Sequence, residues 1–160
     1  MLFLAVGTGQ DIQFFPPGRE ITGIDISEGM LAHARSKAER YDGRLELRHL
    51  DVHDLDYPEA TFDQVFTSCT FCSVPDPVNG LRALRRVLKP GGTIGMFEHT
   101  GSRCFPFSLI LNLMTPLTRR LGPELNRDTP ANVRQAGFVE VRVAPVYLDV
   151  VKVIHAVAPA

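Results

Sequence analysis

Apolar residues recur along this chain with two alternating spacings. Leu2 to Val6 is a short, nearly continuous apolar run and reads as a buried strand. Glu20 to Asp25 reads as a second, ending in Gly23-Ile24-Asp25. From Ser27 to Tyr41 the spacing becomes helical, with Met30, Leu31, Ala34 and Ala38 on one face and Ser27 placed as the N-cap. Arg44 to Leu50 alternates through Leu45 and Leu47 as a third strand, and Phe62 to Thr67 is a fourth. Pro77 to Leu88 is again helical, with Leu81, Leu84 and Val87 or Leu88 inward, stopped by Lys89-Pro90-Gly91-Gly92. Thr93 to Glu98 is a fifth strand. A long apolar stretch, Phe105 to Leu121, comes next, then a short helix from Pro130 to Ala136. Two alternating strands, 138–144 and 147–158, close the chain around a turn near Pro145.

Strand and helix taking turns predict a parallel sheet covered by helices on both faces. The last two strands are joined too closely for a crossover, so they pair antiparallel. With 160 residues and neither repeat nor linker, the economical reading is one domain over residues 1–160. A composition of 44% hydrophobic and 22% charged residues is that of an ordinary globular protein. The net charge of -1 creates no field for nucleic acid. No apolar run reaches the roughly 18 residues of a membrane span. The absence of a signal-like leader and the odd count of three cysteines suit a reducing cytoplasm.

Candidate chemistry begins at Gly7 and Gly9, which follow the first strand. Glycines there let the backbone turn sharply and let a ligand approach where a Cβ would stand. The third glycine of a dinucleotide fingerprint is replaced by Ile12, which removes the pyrophosphate seat. Asp25 ends the second strand, where a carboxylate can accept both hydroxyls of a ribose; the plainer reading is a charge at a helix N-terminus. Asp51 ends the third strand, where it can accept from an adenine amino group while Val52 covers the ring; the plainer reading is a solvated loop acid. Together Gly7, Gly9, Asp25 and Asp51 describe a nucleoside site without a pyrophosphate, as S-adenosylmethionine requires.

The chain resembles class I S-adenosylmethionine-dependent methyltransferases over nearly its whole length. The resemblance lies in "AVGTGQDIQFFPPG", "ITGIDISEGMLAHARSKA", "LDVHDLDYPEATFDQVFTS" and "ALRRVLKPGGTIGMFEH", of which "RVLKPGG" is rather specific. Within that superfamily, "CSVPDP", "MFEH" and "RDTPANVRQAGF" resemble bacterial phospholipid N-methyltransferases and thiol methyltransferases, with quinone-biosynthesis C-methyltransferases somewhat further off. The resemblance implies a Rossmann-like, seven-stranded, mostly parallel sheet with an antiparallel C-terminal strand. It implies a cofactor site at Ala5, Gly7, Gly9, Asp25, Ile26, Met30, Asp51 and Val52, with Thr67 and Ser68 under the methionine portion. The acceptor it implies is a small or lipid-like molecule with a nitrogen, sulfur or carbon nucleophile. Two departures stand out. Phe3 and Ala5 occupy places where relatives carry an acid and the first glycine. The first strand begins almost at Met1, so the one or two helices that precede it in relatives are expected to be lacking.

Further constellations admit more than one role. Glu98 and His99 end the fifth strand where an acceptor would lie; His99 is the general-base candidate or merely shapes the pocket. Cys69, Cys72, His99 and Cys104 converge at one sheet edge, yet lack metal-site spacing, and we expect no metal. Arg82, Arg85, Arg86 and Lys89 form a basic helix face of the kind that is usually solvated. The stretch Phe105 to Leu121, which includes Arg119 and Arg120, is expected to close over the site or to pair with a second chain; a position on a membrane surface is the alternative. The rival functions are a nicotinamide-dependent oxidoreductase, opposed by Ile12, and a non-catalytic cofactor-binding protein, suggested by Phe3, Ala5 and the bare front.

Overall fold

The computed structural model describes residues 1–102, 104–118 and 124–160. Seven strands form one sheet: β1 (Leu2–Leu4), β2 (Arg19–Asp25), β3 (Gly43–His49), β4 (Phe62–Ser68), β5 (Leu88–His99), β6 (Val139–Tyr147) and β7 (Val151–Val157). Their order across the sheet is β3-β2-β1-β4-β5-β7-β6. The first five run parallel, and β7 lies antiparallel to both β5 and β6. The helices are α1 (Glu28–Ala38), α2 (Pro77–Val87), α3 (Phe107–Thr118) and α4 (Thr129–Gln135).

Alternation along the strands builds two cores. Leu2 and Leu4 enter the larger one with Ile24, Val65, Ile94 and Ile154, roofed by Leu81 and Leu84 of α2 and Val133 of α4. Phe3 points the other way, into a smaller core with Val6, Ile12, Ile21 and Ala34 of α1. Helices therefore lie on both faces. Among the described residues, however, the α1 face is covered only over β1 to β3. Beyond it Phe66, Phe97 and Val153 stay exposed along a cleft of about 1110 Å³.

Several boundaries move for local reasons. β1 stops at Leu4 because Ala5 turns left-handed, at φ 59°. α2 ends at Val87, before Lys89-Pro90-Gly91-Gly92, because Leu88 is already extended and opens β5 opposite Phe62. The closing turn lies at Leu148 and Asp149, both left-handed, and not near Pro145. Pro145 sits inside β6, an edge strand, where a missing N–H costs least. Met30 is exposed and does not share the buried face of Leu31 and Ala34. Of the apolar stretch, Arg119 to Leu121 lies outside the described residues.

Candidate functional site

The parallel strands β1 to β5 end on one edge, and the loops leaving that edge carry nearly every candidate residue. After β1 the chain turns through Ala5, Gly7 and Gly9, all with positive φ. Gly9 is held by close packing: an added Cβ would meet Ile12 Cδ1 at 2.8 Å and Ala34 of α1 at 3.1 Å. Gly7 is the opposite case: among the described residues, no atom beyond its chain neighbours lies within 4 Å of where its Cβ would be. One glycine of the pair thus fastens the loop to α1, and the other leaves space beside the backbone. Lys37 of α1 also donates to the Thr8 carbonyl at 2.6 Å.

Asp25 ends β2 and is buried. Its Oδ2 accepts from the Gly7 N–H at 2.8 Å, and its Oδ1 accepts from the Ser27 N–H at 2.8 Å. Each oxygen keeps a second lone pair, so the carboxylate clamps two loops and can still accept from a ligand. Ser27 caps α1 by accepting from the Met30 N–H at 3.3 Å. Ile26 and Met30, on either side of this cap, expose apolar side chains beside the carboxylate. His49 ends β3 next to Asp25 and bonds the Ile26 carbonyl at 2.8 Å.

Asp51 caps the short 3-10 turn Val52–Asp54. Its Oδ1 accepts from the His53 N–H at 2.9 Å and bonds His53 Nδ1 at 2.7 Å. The His53 N–H holds the Asp51 carboxyl below its ordinary range. His53 in turn reaches the Asp76 carbonyl with Nε2 at 3.0 Å. Burial pushes the imidazole pKa down, but these partners outweigh it and the net shift is upward. The Val52 side chain is buried in the larger core, 3.2 Å from where a Cβ on Gly80 would stand.

The loop after β4 is held from both sides. Glu98 is fully buried at the end of β5. It accepts from the Thr67 hydroxyl at 2.7 Å, the Thr70 N–H at 3.1 Å and the Phe71 N–H at 3.0 Å. Burial raises its pKa, against the pull of those donors. Arg127 grips the same loop by its carbonyls, donating to Phe71 at 2.7 Å and to Val74, while its guanidinium pairs with Glu124 at 2.8 Å. Glu124 adds its own N–H to the Cys72 carbonyl at 2.8 Å. Expected at the site, Glu98 and Thr67 are bonded to each other inside the fold, whereas Ser68 is half-buried beside them. His99 is half-buried with a buried Nδ1 that has no partner among the described residues, and burial lowers its pKa.

Cys69 and Cys104 are exposed and Cys72 is buried, all as free thiols. Burial raises the pKa of Cys72, and partial desolvation of its sulfur that of Cys69, which keeps both as thiols. Among the described residues no three His, Cys, Asp or Glu gather as ligands of a metal ion do. The large cleft on the bare sheet face reaches Thr67 and Ser68 but not Gly7 or Asp25. Sequence reasoning missed His53 and Arg127. An Asp-x-His pair at a strand end is a weak local signal for the first. Nothing local marks the second, whose Phe71 partner lies 56 residues away.

Residues 2–96 match the family described as "Methyltransferase domain". A phosphatidylethanolamine N-methyltransferase of Cereibacter sphaeroides is 32% identical over 124 residues, covering 76% of this chain and 61% of that protein. A thiol S-methyltransferase of Rattus norvegicus is 28% identical over 156 residues, covering 89% of this chain and 61% of its own length. The chain thus spans under two thirds of these relatives. Among solved structures, Haemonchus contortus phosphoethanolamine N-methyltransferase 2 superposes with a TM-score of 0.76 at 17% identity, over all of this chain and 49% of that one. That likeness is one of fold.

Proposed function

The chain belongs to the class I S-adenosylmethionine-dependent methyltransferases, and from that premise we propose that it binds S-adenosylmethionine and methylates a small or lipid-like acceptor at nitrogen, sulfur or carbon. The observation that carries this reading is the clamp of Asp25 on Gly7. A ribose diol needs a fixed carboxylate beside a backbone that can be approached closely. Here the Gly7 N–H fixes the carboxylate, and the missing Gly7 Cβ leaves the approach open.

In this reading Ala5, Gly7 and Gly9 shape the loop around the cofactor, and Asp25 accepts from the ribose. Ile26 and Met30 cover apolar surface of the nucleoside. Asp51 accepts from the adenine amino group with Oδ2, which has no bond among the described residues. Ser68 lies under the methionine portion, and Thr67 and Glu98 position that loop without touching the reacting atoms. When bound, the cofactor would supply an activated methyl group on a sulfonium for transfer to the acceptor's nucleophile. The protein's main task is alignment. Where the acceptor must lose a proton, His99 takes it, because its lowered pKa keeps the imidazole neutral near pH 7.

We read residues 1–160 as one catalytic unit, and the free thiols suit a reducing cytoplasm. Besides the acceptor, the partners this reading admits are a second copy of the chain or a membrane surface, not nucleic acid. The oxidoreductase alternative fails on geometry. A dinucleotide pyrophosphate needs a helix N-terminus after the glycines. Here a four-residue 3-10 turn follows, with Asp11 in its first turn and Ile12 buried in the third glycine place.

Calorimetry with S-adenosylmethionine and its demethylated product tests the reading without an acceptor. Both should bind saturably, and reduced nicotinamide cofactors should not. Asp25→Asn keeps one acceptor oxygen for the clamp yet should weaken both ligands about tenfold or more. A folded wild-type chain that binds neither ligand overturns the proposal.

A further inference from the structure

His53 sits between two groups that can only accept. Its Nδ1 bonds Asp51 Oδ1 at 2.7 Å, and its Nε2 bonds the Asp76 carbonyl at 3.0 Å. A backbone carbonyl has no proton to give, and neither has an ionised carboxylate. Asp51 is ionised at neutral pH, since the His53 N–H holds its carboxyl below the ordinary range. Both ring nitrogens therefore donate, and only the imidazolium carries two N–H groups at once.

The surroundings favour that charge. Asp51 caps the turn that contains His53, and Asp76 caps α2, which packs against the turn. Burial opposes the cation, but Asp76 and Asp51 outweigh it and the net shift is upward. Asp54, the remaining acid of the turn, is exposed. The arginines of α2 are engaged elsewhere. Arg82 donates to Asn79, Arg86 donates to the carbonyls of Leu55 and Tyr57, and Arg85 lies against Gly137.

The consequence falls on Asp51. Its Oδ1 receives two donors, the His53 N–H at 2.9 Å and the ring, which occupies both lone pairs, while Oδ2 receives none from the described residues. The far side of the ring is tied to the Asp76 carbonyl, which also accepts the first helical bond of α2 from the Gly80 N–H at 3.0 Å. The carboxylate is thereby fixed against a rigid element. The adjacent cation also disfavours its protonation. An amino group meets such an oxygen with a hydrogen bond. A carbonyl in the same place meets it lone pair to lone pair, and the oxygen can neither turn aside nor take up a proton.

We propose that His53 is a positioning residue for base recognition: its imidazolium fastens Asp51 Oδ1 to the start of α2, so that Oδ2 accepts from the amino group of adenine and rejects the carbonyl of a 6-oxopurine. The inference rests on the methyltransferase reading, which places the adenine beside Asp51.

The test compares calorimetric binding of S-adenosylhomocysteine and its 6-oxo counterpart, S-inosylhomocysteine, on both sides of the His53 titration. Wild type should prefer the adenosyl ligand by about tenfold or more. The preference should shrink as pH rises through the folded pKa of His53, because the neutral ring keeps one of its two bonds. His53→Leu removes both ring donors and keeps the backbone N–H; it should narrow the preference about three- to tenfold and make it independent of pH over that range. A general loosening of the fold would weaken both ligands alike, since they differ only on that edge of the base. In an Asp51→Asn background, His53→Leu should leave the preference where it stands. Nitrogen NMR of the wild-type chain needs no variant: the His53 ring should titrate above its ordinary 6.5, and higher again with S-adenosylhomocysteine bound. A preference unchanged in folded His53→Leu, or a ring that titrates at or below 6.5, overturns the inference and leaves the methyltransferase reading standing. A folded wild type that binds neither ligand overturns that reading and the inference with it.

Discussion

Ala5 holds φ 59° at the point where β1 becomes the glycine loop. A side chain in the left-handed region costs roughly 1–2 kcal/mol, and glycine gives back about 0.5–1 of that in chain entropy. Ala5→Gly is therefore expected to stabilise the fold by about 0.5–1 kcal/mol in chemical denaturation, with cofactor affinity unchanged or improved. Phe3, the other departure from the family pattern, has a structural occupation. Its ring lies 4.7 Å from that of Phe15 and helps seat the turn after the glycines. Two substitutions at the front of the loop thus keep the turn, one by tolerating strain and one by packing.

Elements are fastened to one another at two places that can be measured. The glycine loop rests on α1 through Gly9. Gly9→Ala combines φ 76° with an overlap on Ile12 and Ala34 and should cost about 2–4 kcal/mol. Ile12→Val removes the Cδ1 that meets the new methyl, so the double variant should recover part of that loss; strict additivity would show that the overlap is unimportant. The β4 loop is fastened by Glu98 beneath and Arg127 above. Arg127→Ala strands the Phe71 and Val74 carbonyls and takes a buried partner from Glu124, with an expected loss of about 3–5 kcal/mol. Hydrogen exchange at residues 71–74 should rise in that variant before global unfolding does.

For the whole molecule, two histidines give stability opposite dependences on pH. His53 has a raised pKa in the fold, so its contribution is fully present below the unfolded value of 6.5 and fades as pH rises through the folded value. His99 has a lowered pKa, so its contribution is fully present above 6.5 and fades as pH falls through the folded value. Denaturation of His53→Gln across this range should lose less stability on the alkaline side than wild type, and His99→Gln less on the acid side. A wild-type slope retained in both variants would remove these two groups as the cause.

The sequence made legible the seven strands and helices α1, α2 and α4, because alternation and 3.6-residue spacing are local properties of a chain. It also determined that a glycine turn and a strand-ending carboxylate meet at one edge, since parallel strands bring their carboxyl ends together. It did not determine what those groups do on arrival. Asp25 serves Gly7 across 18 residues, Glu98 serves Phe71 across 27, and Arg127 reaches the same loop across 56. Val52, placed by its neighbours in sequence beside a ligand, is packed in the core near α2, and α3 buries Thr115 while Leu109, Leu113 and Leu117 stay exposed. Such roles depend on which atoms lie within a few ångströms of one another after packing, a property of the folded chain and not of any local stretch.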